Sequence, residues 1–336
     1  MSFKRFDLED IAISAESVVS PAWSNQANQL TSMHRGLQAT TNTGKYYNNI
    51  YAAGTTDNGS GDVQFSVAYG DIKGSGSLAF SSTERGKSPS AVIYGQYRNL
   101  VFGDENTNFQ FGSSSLDQSV YFITVNRPRF KEKLLPGSFE LTLRSGSLIR
   151  TFIDDSQVNN VVSYVDAGRS YNLVTGSLLN GINTIESTAF SNTGYAGAFY
   201  PDIGVIALNH SRLNTSTYGI GIAENINSNA DGNNNQQIAT AIISGSNFKL
   251  NSEETVTSNY VFVRIRNGEF NYSTNPSNIT GSGELRHNIM VNSPQAYITT
   301  VGLYNDNNDL LAVAKLSRPL LKDFTKEALV RIKLDF

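Results

Sequence analysis

Apolar and polar residues alternate in short runs along most of this chain. "VQFSVAYGDI" (63–72) sets Val63, Phe65 and Val67 at period two, the spacing that places side chains on one face of a strand. Similar runs cover 120–125, 138–143, 148–153, 161–165, 194–200 and 203–208. Gly, Asn and Ser, residues that accept turn conformations, punctuate the stretches between them. The pattern predicts a mainly β (α+β) chain of β-sandwich or barrel-like modules with one or two short helices and a C-terminal hairpin plus final strand.

The period changes in "SPSAVIYGQYRNLVFGDE". Ile93, Tyr97, Leu100 and Val101 fall at i, i+4, i+7 and i+8, a helical stripe. Ser88 or Ser90 can cap its start, and Gly103 stands where a C-terminal cap glycine belongs. The spacing predicts a helix over 90–102. "NINSNADGNNNQQ" (225–237) reads as a polar loop, and a short helix follows over 236–243, ending at Gly245.

Near the end, "SNYVFVRIRN" sets Val261, Val263 and Ile265 on one strand face. "AYITTVGLYNDNNDLLAVAKL" reads as a hairpin, with strands near 297–304 and 309–316 around the turn at 305–308. Leu311 and Val313 lie on one face of its second strand, and Leu310, Ala312, Ala314 and Leu316 on the other. A strand apolar on both faces is expected to be covered on both. Pro319 cannot donate to a ladder, so it is expected to mark a break. In the final "ALVRIKLDF", Val330, Ile332, Leu334 and Phe336 alternate with Leu329, Arg331, Lys333 and Asp335. A slip of one residue would turn the whole apolar set to solvent, so the register is well specified. The expected organisation is an extended N-terminal arm (1–54), a β-rich main domain (55–250) and a C-terminal β module (251–336). Trp23, the sole tryptophan, sits in "SPAWSNQANQL", either on a docking arm or in an ordinary first strand and turn.

Composition narrows the chemistry. Charged residues are 16% of 336, and the net charge is −3. The polar surface is therefore mostly Asn, Ser, Thr and Gly, and no global field favours nucleic acid or a membrane surface. The chain has no cysteine, which excludes disulfides, thiolate metal sites and thiol nucleophiles. No apolar run reaches the ~20 residues of a membrane span. His34, His210 and His287 show no metal-ligand spacing, and neither a nucleophile elbow nor a P-loop is present. "DNGSGD" (57–62) and "NDNND" (305–309) lack the twelfth-position glutamate of a calcium loop. The pairs Asp104/Glu105, Asp154/Asp155 and Glu253/Glu254 read as solvated turn residues. No enzyme activity and no cofactor are expected. "NRPRFKEKLLPG" groups Arg127, Arg129, Lys131 and Lys133 around Phe130. It reads as a solvated connection or as a contact surface anchored by arginine and an aromatic ring.

The run "TSNYVFVRIRNGEFNYSTNPS" with "QAYITTVGLYNDNNDLLAVAKLSRPLLKDFTKEALVRIKLDF" resembles virion structural proteins of contractile-tailed phages, especially cyanophages. "SPSAVIYGQYRNLVFGDEN", "RFKEKLLPG" and the opening "MSFKRFDLEDIAIS" are similar to segments of the same proteins. The closing hairpin and strand also resemble C-terminal modules of baseplate wedge proteins. The resemblance implies a non-enzymatic tail component, most of all a wedge subunit, made in the host cytoplasm and carried in the virion. Its partners would be other tail or baseplate proteins and further copies of itself in a symmetric tail, with no nucleic acid and no membrane span. A receptor-binding or fibre-attachment module is the alternative, and a carbohydrate-active enzyme a third. Trp23, Arg127, Arg129, Phe130, Arg318, Leu320 and Leu321 are the candidate interface residues.

Overall fold

The computed structural model describes residues 4–35, 46–52, 61–76, 88–112, 117–158, 162–179, 182–185, 194–226 and 233–335. Its strands are Ile11–Pro21 (β1), Gln29–Leu30 (β2), Met33–Arg35 (β3), Tyr47–Ala52 (β4), Val63–Asp71 (β5), Ser119–Val125 (β6), Lys133–Leu134 (β7), Glu140–Ser145 (β8), Leu148–Asp154 (β9) and Ser163–Val165 (β10). They continue as Gly168–Leu179 (β11), Ile182–Ile185 (β12), Gly197–Tyr200 (β13), Val205–Asn209 (β14), Phe248–Lys249 (β15), Asn251–Ile265 (β16), Ala296–Tyr304 (β17), Leu310–Lys322 (β18) and Ala328–Asp335 (β19). The helices are Pro89–Phe102 (α1), His210–Leu213 (α2), Asn233–Gly245 (α3) and Asn288–Asn292 (α4). The chain is thus mainly β with few helices.

It divides into two compact units, 18–254 and 1–17 with 255–336. The division differs from the arm, main domain and C-terminal module expected from sequence. Residues 18–35 and 46–52 contribute β2, β3 and β4 to the main sheet, and the first 17 residues group with the C-terminal part.

In the main unit the sheet order among the described residues is β2-β15-β8-β9-β11-β13-β14-β6-β5-β4-β3. Its two ends, β2 and β3, are separated in sequence only by Thr31 and Ser32. Three Cα steps of 3.8 Å span at most ~11 Å, so the sheet nearly closes into a barrel. Side-chain alternation splits the core. Tyr121, Ile123, Phe199, Ile206 and Leu208 join one buried cluster, with Phe65, Phe139, Phe152 and Phe248. Phe122, Ala198, Tyr200, Val205 and Ala207 point the other way into a second cluster with Tyr94, Val101 and Phe109. This explains why β6 and β14 read as continuous apolar runs.

α1 packs on β5 and feeds the second cluster. Its bounds match the expectation closely, with Ser88 as N-cap and Gly103 left-handed at φ 63°. The buried side differs. It runs through Ser90, Tyr94 and Val101, while Leu100 is 49% exposed. α3 begins at Asn233, inside the stretch expected to be a loop. Asn234 closes that first turn: its Oδ1 accepts from Asn225 N (2.9 Å) and its Nδ2 donates to Asn225 O (2.9 Å) and Gly76 O (3.1 Å). α3 then buries Ile238, Ala239, Ala241 and Ile242 against β8, β5, β4 and β3.

In the C-terminal unit β16 and β19 pair antiparallel from Ser258↔Asp335 to Ile265↔Ala328. The β17–β18 hairpin lays Val301, Leu303, Ala312, Ala314, Leu316 and Leu320 on Val261, Val330 and Ile332. Phe336 lies outside the described residues. The hairpin is covered on this inner face only. Leu311 and Val313 are 68% and 58% exposed, contrary to the expectation of cover on both faces. Pro319 does not end β18. The ladder jumps from Ile298↔Leu320 to Thr300↔Lys315, and Pro319 sits in that bulge, where no ladder donor is needed. Below the hairpin Lys322 is fully buried. Its Nζ donates to Asn271 Oδ1 (2.6 Å), Asn267 O (2.9 Å) and Asp323 O (2.9 Å), which uses all three protons.

Candidate functional site

The densest polar chemistry in the main unit lies at one end of the barrel. The β5–β6 register pairs Tyr69 with Tyr121 and Asp71 with Ser119, so all four face inward together. His210 enters from the start of α2, and Glu224 from the segment beyond it. Ser119 Oγ lies 3.0 Å from Asp71 Oδ2 and 2.6 Å from Glu224 Oε1, and Tyr69 Oη also bonds Glu224 Oε1. His210 Nδ1 is 3.7 Å from Glu224 Oε2. Tyr121 Oη and His210 Nε2 are buried without a hydrogen-bond partner among the described residues.

Tyr69 Oη also lies 3.4 Å from Ser119 Oγ, so four contacts link the two hydroxyls and the two carboxyl groups. Burial raises the Asp71 pKa, which favours its acid form. Ser119 Oγ donates toward Asp71 Oδ2 and Glu224 Oε1, and Tyr69 Oη donates toward Glu224 Oε1. Burial lowers the His210 pKa, with Glu224 acting in the opposite sense, so burial favours neutral imidazole. Burial also drives the Tyr69 phenol up, followed by the effect of Glu224. Ser119 fills the gap between the two carboxyl groups. It leaves no room for a substrate between an acid and a base.

A second feature is an open cleft of about 1030 Å³ on the main unit. The polar face of α3 (Asn233, Gln237, Thr240 and Ser244) forms one wall, and Arg35 and Arg144 also line it. Among the described residues its lining contains no carboxylate and no aromatic ring.

The sequence-derived candidates fall in three places. Trp23 is 3% exposed and belongs to the core, its Nε1 donating to Phe248 O at 2.9 Å. Phe130 is 5% exposed and packs on Gly204, where a Cβ would lie 2.7 Å from the ring. These two side chains offer no contact surface, because their apolar area is already used within the fold. Arg127 stacks on Phe130 at 4.6 Å and donates to Phe130 O and Lys131 O, each at 2.7 Å. Arg129 donates to Ser24 Oγ (2.6 Å) and Asp62 Oδ2 (3.1 Å). The basic cluster therefore pins its own loop. Arg318 is exposed on β18, while Leu320 and Leu321 are half-buried, Leu320 against the hairpin's own core.

Asp154 and Asp155 depart from the solvated-turn expectation: they are 0% and 2% exposed. Asp154 accepts from Gly137 N (2.9 Å), Ser156 N (3.1 Å) and Ser156 Oγ, and burial raises its pKa. Asp155 accepts from Asn172 N (2.8 Å) and Asn172 Nδ2 (2.9 Å). Residues 57–60 of the first loop considered for calcium lie outside the described residues. Among the described residues no group of three or more His, Asp or Glu is placed to hold a metal, and no helix is long and apolar enough to cross a membrane. Sequence reasoning missed the proton network and the cleft, whose parts are far apart in the chain. No protein-family model, curated protein or solved structure matches this chain.

Proposed function

We propose that the chain is a structural subunit of a contractile phage tail, most specifically of the baseplate wedge, and that it works by being built into protein–protein interfaces. The observation that carries this reading is the outer face of the β17–β18 hairpin. Leu310 (52%), Leu311 (68%) and Val313 (58%) are exposed near the turn of the hairpin, and Tyr297 (65%) toward its other end, on a ladder interrupted by two bulges. Apolar side chains grouped on a rigid sheet mark contact sites more often than scattered ones do. The polar network supports a non-enzymatic role, since its groups bond one another. Neighbouring wedge proteins or further copies of the chain would cover the hairpin face. Mass spectrometry of purified tailed particles tests the proposal. The polypeptide is expected at a fixed copy number per tail, and particles that infect normally without it would refute the reading. A receptor-binding module is the second reading, and the open polar cleft is what favours it.

A further inference from the structure

The cleft on the main unit has the build of a ligand site. Asn233, Gln237, Thr240 and Ser244 recur at steps of four, three and four residues, so they form one line along α3. At 1.5 Å per residue that line is ~16 Å long. The opposite side of α3 is locked by buried Ile238, Ala239 and Ile242, so the polar line is held rigidly. Arg35 ends β3, and Arg144 lies in β8 beside the turn to β9. Arg144 Nε donates to Gly146 O at 3.2 Å, which leaves its terminal nitrogens for a ligand. Neither arginine has an acidic partner among the described residues.

We propose that this cleft binds a short acidic oligosaccharide of the uronate type. Its carboxylates would pair with Arg35 and Arg144, whose planar forks match carboxylate oxygens. Its hydroxyls would bond the amide and hydroxyl groups of Gln237, Thr240 and Ser244. A single nucleotide or a nucleic-acid strand is disfavoured, since among the described residues the walls offer no ring for base stacking. The volume, about 1030 Å³, is at the upper end of the ~300–1,000 Å³ usual for ligand sites, which suits a chain of a few sugar units.

The inference does not depend on the assembly reading, and its test uses the purified full chain rather than a particle. Isothermal titration with tetragalacturonate at low salt is expected to saturate below ~1 mM. Maltotetraose, inorganic phosphate and tetraglutamate serve as separate arms and are expected to bind at least tenfold more weakly, roughly one decade or more in Kd. Arg35→Gln and Arg144→Gln are each expected to weaken tetragalacturonate binding about tenfold. Both residues are exposed, so the melting temperatures of these variants are expected to stay at the wild-type value. Gln237→Ala with Ser244→Ala gives a second test that leaves the charge unchanged, and it too is expected to weaken binding. No saturation by tetragalacturonate overturns the proposal. So does equal binding of maltotetraose, phosphate or tetraglutamate, or wild-type affinity in both arginine variants.

Discussion

Replacing Asp71 by asparagine tests the raised Asp71 pKa at the barrel end. Asp71 Oδ1 accepts from Lys73 N (2.9 Å) and Ser75 N (2.7 Å), and Oδ2 meets Ser119 Oγ at 3.0 Å. An asparagine keeps both accepted bonds through Oδ1. Its Nδ2 donates to Ser119 Oγ in place of the bond that Oδ2 accepts from it, so Asp71→Asn keeps all three contacts. Asp71→Ala loses all three, at about 0.5–1.5 kcal/mol each, or roughly 3 kcal/mol in total. The pH dependence adds a sign. The Asp71 pKa is raised in the fold, so the folded state holds this proton more tightly than the unfolded chain does. That stabilisation is complete below the unfolded carboxyl value near ~4 and is lost as pH rises through the folded value. The amide of the variant does not titrate, so Asp71→Asn should gain on the wild type as pH rises from ~4 to 7. Urea unfolding followed by Trp23 fluorescence reads this directly, because Trp23 is the only tryptophan and lies in the same unit. A loss of more than ~2 kcal/mol at pH 7 in Asp71→Asn, or a loss that grows with pH, would refute the assignment.

Further perturbations test packing and backbone. Phe248 touches Trp23, Phe65 and Phe139 at ring distances of 4.8, 5.2 and 5.7 Å, so Phe248→Ala should cost about 3–5 kcal/mol in urea unfolding; a cost below ~1 would contradict the assigned core. Gly95 has nothing within 4 Å of its would-be Cβ, and Gly95→Ala should stabilise α1 by about 0.5–1 kcal/mol. At Gly245 a Cβ would lie 1.9 Å from Thr142 O, so the same change there should destabilise by roughly 1–3 kcal/mol or more, read as opposite shifts in melting temperature. Lys322→Met would leave three acceptors without their donor and should cost about 3 kcal/mol, seen as faster amide exchange in β17 and β18; unchanged exchange would show that burying the charge cancels its bonds.

How much of this is legible in the sequence depends on how local the cause is. β5, β6, β9, β14 and β19 announce themselves by apolar period or run. α1 carries its own caps at Ser88 and Gly103. α3 hides its start because three successive asparagines resemble a loop, while the bonds of Asn234 come from Asn225 and Gly76. β11 escapes a reading by period because Arg169, Ser170, Asn172 and Ser177 interrupt its apolar residues, and its partners β9, β12 and β13 supply the order. Trp23 and Phe130 read as surface anchors from their polar neighbours, yet Trp23 is buried by Phe248, 225 residues away. The proton network joins positions 69, 71, 119, 210 and 224, and the cleft joins 35, 144 and α3. No local pattern connects such positions, whereas the C-terminal hairpin is local throughout and is the clearest element to read.

The exposed hairpin face also sets a limit on its own strength as an interface. Fully burying a large apolar side chain contributes about 1.5–3 kcal/mol. Leu310, Leu311, Val313 and Tyr297 are already partly covered, at 52%, 68%, 58% and 65% exposure. Completing their burial is therefore worth roughly 1–2 kcal/mol each, or about 4–7 kcal/mol together. Association costs an estimated ~4–15 kcal/mol in lost translation and rotation before any contact counts. The face alone thus comes out near balance, and the isolated chain is expected to be monomeric at micromolar concentration in sedimentation velocity. In the symmetric tail proposed above, the neighbours would be held by other contacts. The effective concentration is then millimolar or higher, and the same small surface suffices to fix register. Leu311→Asp with Val313→Asp should therefore leave the isolated chain folded and monomeric while reducing its incorporation into particles. A tight dimer of the isolated wild type would refute this division between weak pairwise contact and strong assembly.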